Sequence, residues 1–143
     1  MTSTRLQEIE KAHHLLKDYD GSTVTAVAEI WAEENLGMKK AERGNAGYDG
    51  TLPDGRALEV KSKKHGANSA SATYITLSKS SIQHAESVLI VFVDYDTCQV
   101  RRTIGPVSLE RLMKVGRTGK KETRYYVAEI LTLLPTSEHD IPL

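Results

Sequence analysis

The first part of the chain carries apolar residues at the three- and four-residue spacing of amphipathic helices. The pattern predicts a first helix over residues 5–18, which ends before Asp20-Gly21 and has an apolar face of Leu6, Ile9, His13 and Leu16. A second helix is expected to begin at Ser22 or Thr23, each a suitable N-cap, and to stop at Gly37. Its apolar face consists of Val24, Val27, Ile30 and Trp31.

From Gly47 the apolar spacing changes to two, which indicates strands. Pro53-Asp54-Gly55 predicts a hairpin turn between strands at about 47–52 and 56–62, and a loop over KHGANSASA follows. The next patterns predict, in order, a short strand TYITL, a serine-capped helix SKSSIQHAE, a buried strand SVLIVFVDY, a strand CQVRRTI and a helix VSLERLMKV. The segment TRYYVAEILTLL stays open, because its start favours a strand and its end favours a helix. Residues 135–143 carry little pattern, and a partly disordered tail is expected.

Composition limits the class of protein. A length of 143 residues, of which 39% are hydrophobic and 27% charged, fits a single domain over residues 1–143. The 19 basic and 19 acidic side chains balance, which excludes the uniform basic field of a non-specific nucleic-acid coat protein. The single cysteine, Cys98, cannot form an intramolecular disulfide, so reduced, cytoplasmic surroundings are expected. The longest apolar run, VLIVFV, is far shorter than the roughly 20 residues that span a bilayer, so no membrane association is expected.

The hairpin turn fixes which side chains face one another. Pro-Asp-Gly suits a type I turn with glycine in a G1 bulge, and this register places Asp49 directly opposite Glu59. Lys61 joins them, because side chains on one face of a strand recur every second residue. A two-residue loop centred on Asp54-Gly55 would instead set Asp49 against Val60. Asp54 itself lies at the turn tip, where it is a turn residue rather than a catalytic one.

Two carboxylates opposite each other in a strand pair repel, and a divalent cation reverses that repulsion. Oxygen ligands from Asp49, Glu59 and the Val60 carbonyl match the preference of Mg²⁺, with positions left for water and phosphate oxygens. Lys61 then has two expected roles: it positions or deprotonates the attacking water, and it neutralises charge that accumulates on a phosphate.

These residues resemble the motif of the PD-(D/E)xK nuclease superfamily, which has the restriction-endonuclease-like fold. The resemblance covers residues 22–94, leaving 95–143 as a C-terminal extension, and it implies an α/β fold with an α-β-β-β-α-β core, in which helices flank a mixed central sheet. It assigns Asp49, Glu59 and Lys61 to the motif positions. Tyr48 stands where the motif has proline, so the literal Pro53-Asp54 is not the motif pair. The resemblance also implies a glutamate on the first core helix, for which Glu29 is the first choice and Glu33 the second.

The resemblance further implies a polar residue on the helix after the third strand, and Lys79, Ser80 or Gln83 could serve there. Basic residues cluster before the hairpin, directly after it and again near the C-terminus, and Lys63 and Lys64 are expected to contact phosphates. The three clusters are Lys39, Lys40 and Arg43; Lys61, Lys63, Lys64 and His65; and Arg117, Lys120, Lys121 and Arg124.

The expected function is a Mg²⁺-dependent nuclease, with Mn²⁺ as a possible substitute, that hydrolyses phosphodiester bonds as an endonuclease. DNA rather than RNA follows from the resemblance alone, and cutting both strands would favour a homodimer. The alternative is a catalytically inactive nuclease-fold module that binds nucleic acid or a protein partner.

Overall fold

The structure is a computed structural model that describes residues 3–19, 22–42, 47–66, 73–118 and 122–134. The helices in chain order are α1 Thr4–Lys17, α2 Thr23–Leu36, α3 Lys79–His84, α4 Leu109–Leu112 and α5 Val127–Leu131, with a 3-10 turn over Met113–Val115. The strands are β1 Lys39–Lys40, β2 Gly50–Thr51, β3 Ala57–Lys64, β4 Tyr74–Thr76, β5 Ser87–Val93, β6 Val100–Ser108, β7 Arg117–Thr118 and β8 Thr123–Tyr126.

A five-stranded sheet in the order β1-β2-β3-β5-β6 forms the centre of the fold. Its neighbours pair antiparallel except β3 and β5, which run parallel. A second, antiparallel sheet has the order β4-β8-β7. The α/β class with a mixed sheet flanked by helices, which the resemblance implies, is therefore confirmed.

The central strand β5 is buried along its whole length, as its uninterrupted apolar sequence predicts. Alternate residues point to opposite faces, so each face has its own core. One core joins the sheet to α2 and contains Ala28, Trp31, Ala32, Met38, Leu52, Leu58, Val60, Leu89, Val91 and Val93. The other joins it to the second sheet, α4 and α5, and includes Ile75, Ile90, Phe92, Ile104, Leu112, Tyr125 and Ile130.

Most predicted elements form where the sequence places them. Helix α2 has Ser22 as N-cap and ends at Gly37, and α3 has Ser78 as N-cap. The segment left open, TRYYVAEILTLL, begins as β8 and continues as α5. Helix α1 also forms, but none of its residues is buried, and Leu6 and Ile9 are exposed.

The first part of the strand order differs from the prediction. TYITL forms β4, but it pairs with β8 in the second sheet. The strand that completes a three-stranded meander with β2 and β3 is β1, which the sequence pattern did not indicate. The predicted tail over residues 135–143 and the turn at Asp20-Gly21 lie outside the described residues. None of the described helices has the length and apolar character needed to cross a membrane.

Candidate metal and catalytic site

The hairpin between β2 and β3 has the register that its turn residues predict. The Leu52 N–H donates to the Arg56 carbonyl at 2.9 Å, and the Gly55 N–H donates to the Leu52 carbonyl at 2.8 Å. Thr51 pairs with Ala57. This is the register of the longer turn, and its paired positions end at Gly50 and Leu58, one residue short of Asp49 and Glu59.

Asp49 lies directly before β2, where the backbone pairing between β2 and β3 ends. Its side chain makes the next hydrogen bond to β3 in place of the backbone. Its N–H donates to the Leu58 carbonyl at 2.8 Å, while its Oδ2 accepts the Val60 N–H at 2.7 Å. The carboxylate is thereby fixed against β3. Because the N–H and C=O of a strand residue point to the same side, the Val60 carbonyl faces the same edge of the strand.

Close contact with α3 holds the segment that leads to Asp49. Gly47 has φ +102°, a conformation that side chains disfavour, and a Cβ added there would lie 2.7 Å from the Ser80 carbonyl oxygen. The same Cβ would lie 2.8 Å from the His84 Cβ. The chain can therefore approach α3 this closely only because residue 47 has no side chain.

Glu59 carries a strongly perturbed pKa. Burial, a hydrogen bond with the Asp49 carboxyl and the charge of Asp49 raise it from 4.5 to about 7, in that order of importance. The Ser81 hydroxyl and the charge of Lys61 oppose the rise. The two carboxyl groups are thus so close that a negative charge on one disfavours a negative charge on the other. A bound cation would relieve this repulsion.

Ser81 links the first turn of α3 to this pair of acids. Its Oγ donates to Glu59 Oε2 at 2.8 Å, and the Ser78 Oγ donates to the Ser81 Oγ at 3.0 Å. The residues predicted for this helix are Lys79, Ser80 or Gln83, of which Ser80 is half-buried and the other two are exposed. The signal for Ser81 is its position four residues before buried Ala85, since one face of a short helix must meet the sheet.

Lys61 and Lys63 follow Glu59 on the same face of β3. The Lys63 ammonium lies 5.3 Å from the centre of the Tyr74 ring, and its pKa is lowered by burial and by the nearby charge of Lys61. Lys64 points to the other face, where its ammonium lies 5.7 Å from the centre of the Tyr95 ring. Of the two predicted phosphate contacts, Lys63 therefore shares the face of β3 that carries Glu59 and Lys61, and Lys64 does not.

Glu29 is buried on α2, close to Tyr19. Burial, the hydrogen bond that the Tyr19 hydroxyl donates to Glu33 Oε2 at 2.6 Å, and the charges of Glu33 and Glu29 raise the tyrosine pKa. Helix α2 covers the sheet face that carries Leu58 and Val60, opposite to the face of Glu59. A contribution of Glu29 to the metal site stays a prediction.

The two carboxylates would have to hold a metal ion with few other protein ligands. Within the described ranges, no group of three or more His, Cys, Asp and Glu side chains is arranged for a metal ion. Mg²⁺ commonly uses only one or two carboxylates and completes its shell with water and substrate phosphates. Asp49, Glu59 and a backbone carbonyl satisfy that requirement.

The chain matches no known protein-family model and no curated protein. The chemistry of the site has therefore to be inferred from its own side chains.

Proposed function

We propose that this protein is a Mg²⁺-dependent nuclease of the PD-(D/E)xK type, with the restriction-endonuclease-like fold, that cleaves phosphodiester bonds in DNA. The observation that carries the proposal is the close approach of the Asp49 and Glu59 carboxyl groups where the β2–β3 pairing ends, with the charge of Lys61 nearby. Two carboxyl groups this close repel each other when ionised and so destabilise the sheet, which gives them no purely structural role.

The donor set fits a hard divalent cation. Asp49 and Glu59 would bind it through carboxylate oxygens and Val60 through its carbonyl oxygen, and Mn²⁺ could substitute for Mg²⁺. When bound, the ion would supply positive charge for the phosphate and make a water molecule more acidic. The Ser81 hydroxyl would keep the Glu59 carboxylate in one orientation, since it donates to Oε2.

Lys61 supplies a second positive charge, in addition to that of the metal ion. Its ammonium group lies close enough to Glu59 to affect that residue's pKa, so a phosphate brought to the acids would also meet Lys61. The ammonium would hydrogen-bond either the attacking water or a phosphate oxygen, where negative charge develops during the reaction. In the net reaction a water oxygen forms a new bond to phosphorus, the bond to one sugar oxygen breaks, and that oxygen receives a proton.

The proposal is tested by cleavage of supercoiled plasmid DNA with Mg²⁺ or Mn²⁺. Wild-type protein is expected to cut, and Asp49→Asn and Lys61→Met are each expected to lose at least about a hundredfold in rate. Asp54→Asn, in the exposed hairpin turn, is the matched control and should cut normally. Equal cleavage by all four proteins would contradict the proposal.

DNA binding without cleavage by any of these proteins would instead favour the non-catalytic module. The product form is informative as well, since a linear plasmid indicates two cuts and is expected from a homodimer with two sites, whereas an open circle indicates one cut. A matched RNA substrate tests the choice of DNA.

A further inference from the structure

The outer face of the second sheet carries a row of cations and tyrosines that begins at Lys63, next to the candidate site. Strands β4 and β8 pair with Tyr74 opposite Tyr126, and β8 and β7 pair with Arg124 opposite Arg117. Their alternate residues, Ile75 and Tyr125, lie in the core. The polar row therefore occupies the face of the sheet that the core leaves to solvent.

Each cation of this row lies against a tyrosine ring. The guanidinium carbon of Arg124 lies 4.4 Å from the centre of the Tyr74 ring, and that of Arg117 lies 5.2 Å from the centre of the Tyr126 ring. The two ring centres are 5.4 Å apart. Stacking against a ring limits the freedom of a long basic side chain while leaving its N–H groups available, which lowers the entropy lost when an anion binds.

Two carboxylates neutralise part of this row. Glu122 accepts a hydrogen bond from Arg124 Nε at 3.2 Å, and Glu129 pairs with Arg117. Both arginines are nevertheless exposed, at 44% and 67% of their side-chain surface, and exposed pairs of this kind contribute little. In the part of the chain that the structure describes, no carboxylate pairs with Lys63.

We infer that Lys63, Arg124 and Arg117 form a phosphate-binding track, which guides the backbone of a DNA strand across the second sheet to Asp49, Glu59 and Lys61. The inference rests on the proposed function, because it assigns the track to the same substrate. It also gives a role to Arg117 and Arg124 of the C-terminal basic cluster, which lies far from the hairpin in sequence. Since the contacts are to phosphates, the track contributes affinity without base preference.

Binding of fluorescein-labelled DNA, measured by anisotropy in EDTA, tests the track without cleavage. Wild-type protein is expected to bind with an affinity that falls steeply as salt rises. Arg124→Ala and Arg117→Ala should each weaken binding about eightfold at 0.1 M salt and reduce the salt slope by about 1, equally for unrelated sequences. Arg124→Lys should keep most of the slope, because the charge remains.

Arg101→Ala is the matched control. Arg101 is exposed to 43% and pairs with a single carboxylate, Asp94, yet it belongs to β6, so its loss should leave binding unchanged. If Arg101→Ala weakens DNA binding as much as Arg124→Ala does, the track is overturned. Wild-type affinity in both Arg124→Ala and Arg117→Ala would overturn it as well. Absence of any DNA binding by the wild-type protein would also overturn it.

The two proposals fail in different ways. Cleavage of DNA with unchanged binding in the track variants would leave the nuclease and remove the track. Track-dependent binding without cleavage under any metal condition would leave the track and remove the nuclease. Circular dichroism of each variant verifies that the exposed substitutions leave the fold intact.

Discussion

Replacing Glu59 by glutamine should stabilise the metal-free protein at alkaline pH. In the folded chain the pKa of Glu59 is about 7 instead of 4.5. The folded state therefore holds a proton that the unfolded state has released, and stability falls as pH rises between these two values and is constant above them. Glutamine resembles the protonated acid and remains neutral, so it avoids this loss.

The size of the effect follows from the difference between the pKa of Glu59 in the folded protein, about 7, and its ordinary pKa of 4.5. At roughly 1 kcal/mol or slightly more per pKa unit, that difference corresponds to at most about 3 kcal/mol of unfolding free energy. Because the side chain is partly exposed, solvent screening reduces the expected gain to about 1–2 kcal/mol. The charges that act on Glu59 are those of Asp49 and Lys61, and Ser81 adds a hydrogen bond.

Urea denaturation at pH 5 and pH 8 in EDTA measures this effect. Glu59→Gln and wild-type protein should be nearly equally stable at pH 5, and the variant should be more stable at pH 8. Added Mg²⁺ should stabilise wild-type protein and not the variant. The exposed Glu10→Gln serves as control. A stability difference that is the same at both pH values would refute the reasoning.

Three other substitutions separate the parts of the site. Gly47→Ala should reduce both thermal stability and cleavage, because the added methyl group meets the α3 backbone. Gly55→Ala is the comparison: its new methyl group meets no atom within 4 Å, so its melting temperature should fall less. Ser81→Ala removes a hydrogen bond that lowers the pKa of Glu59, so the rise of cleavage rate with pH should move to higher pH, whereas an unchanged pH profile would contradict the link. Asp54→Ala should weaken the hairpin turn but leave cleavage intact, as a plasmid assay can show.

The local chemistry of the chain was sufficient to predict the hairpin and the acid pair. Pro-Asp-Gly permits few turn geometries, and in a strand the turn determines which residues face each other, so Asp49 could be placed opposite Glu59. The helices α2 and α3 followed from their caps. The buried strand β5 followed from its continuous apolar run.

The remaining features depend on contacts between distant segments. Tyr74 and Tyr126 pair across more than fifty positions of sequence, and neither strand carries a signal for its partner. The prediction for the six-residue helix α3 names Lys79, Ser80 or Gln83 and not Ser81, because so short a pattern indicates only weakly which serine faces the sheet. Strand β1 has only two lysines, and its pairing with β2 arises from the path of the chain after α2.

The central claim is that Asp49 and Glu59 bind one divalent cation together. Anomalous diffraction from a crystal soaked in Mn²⁺ at pH 8 tests it directly. A peak about 2.1 Å from carboxylate oxygens of both residues, absent in Asp49→Asn crystals, is the result the account predicts. Mn²⁺ bound elsewhere in a protein that still cleaves DNA, or no peak between these carboxylates, would contradict it.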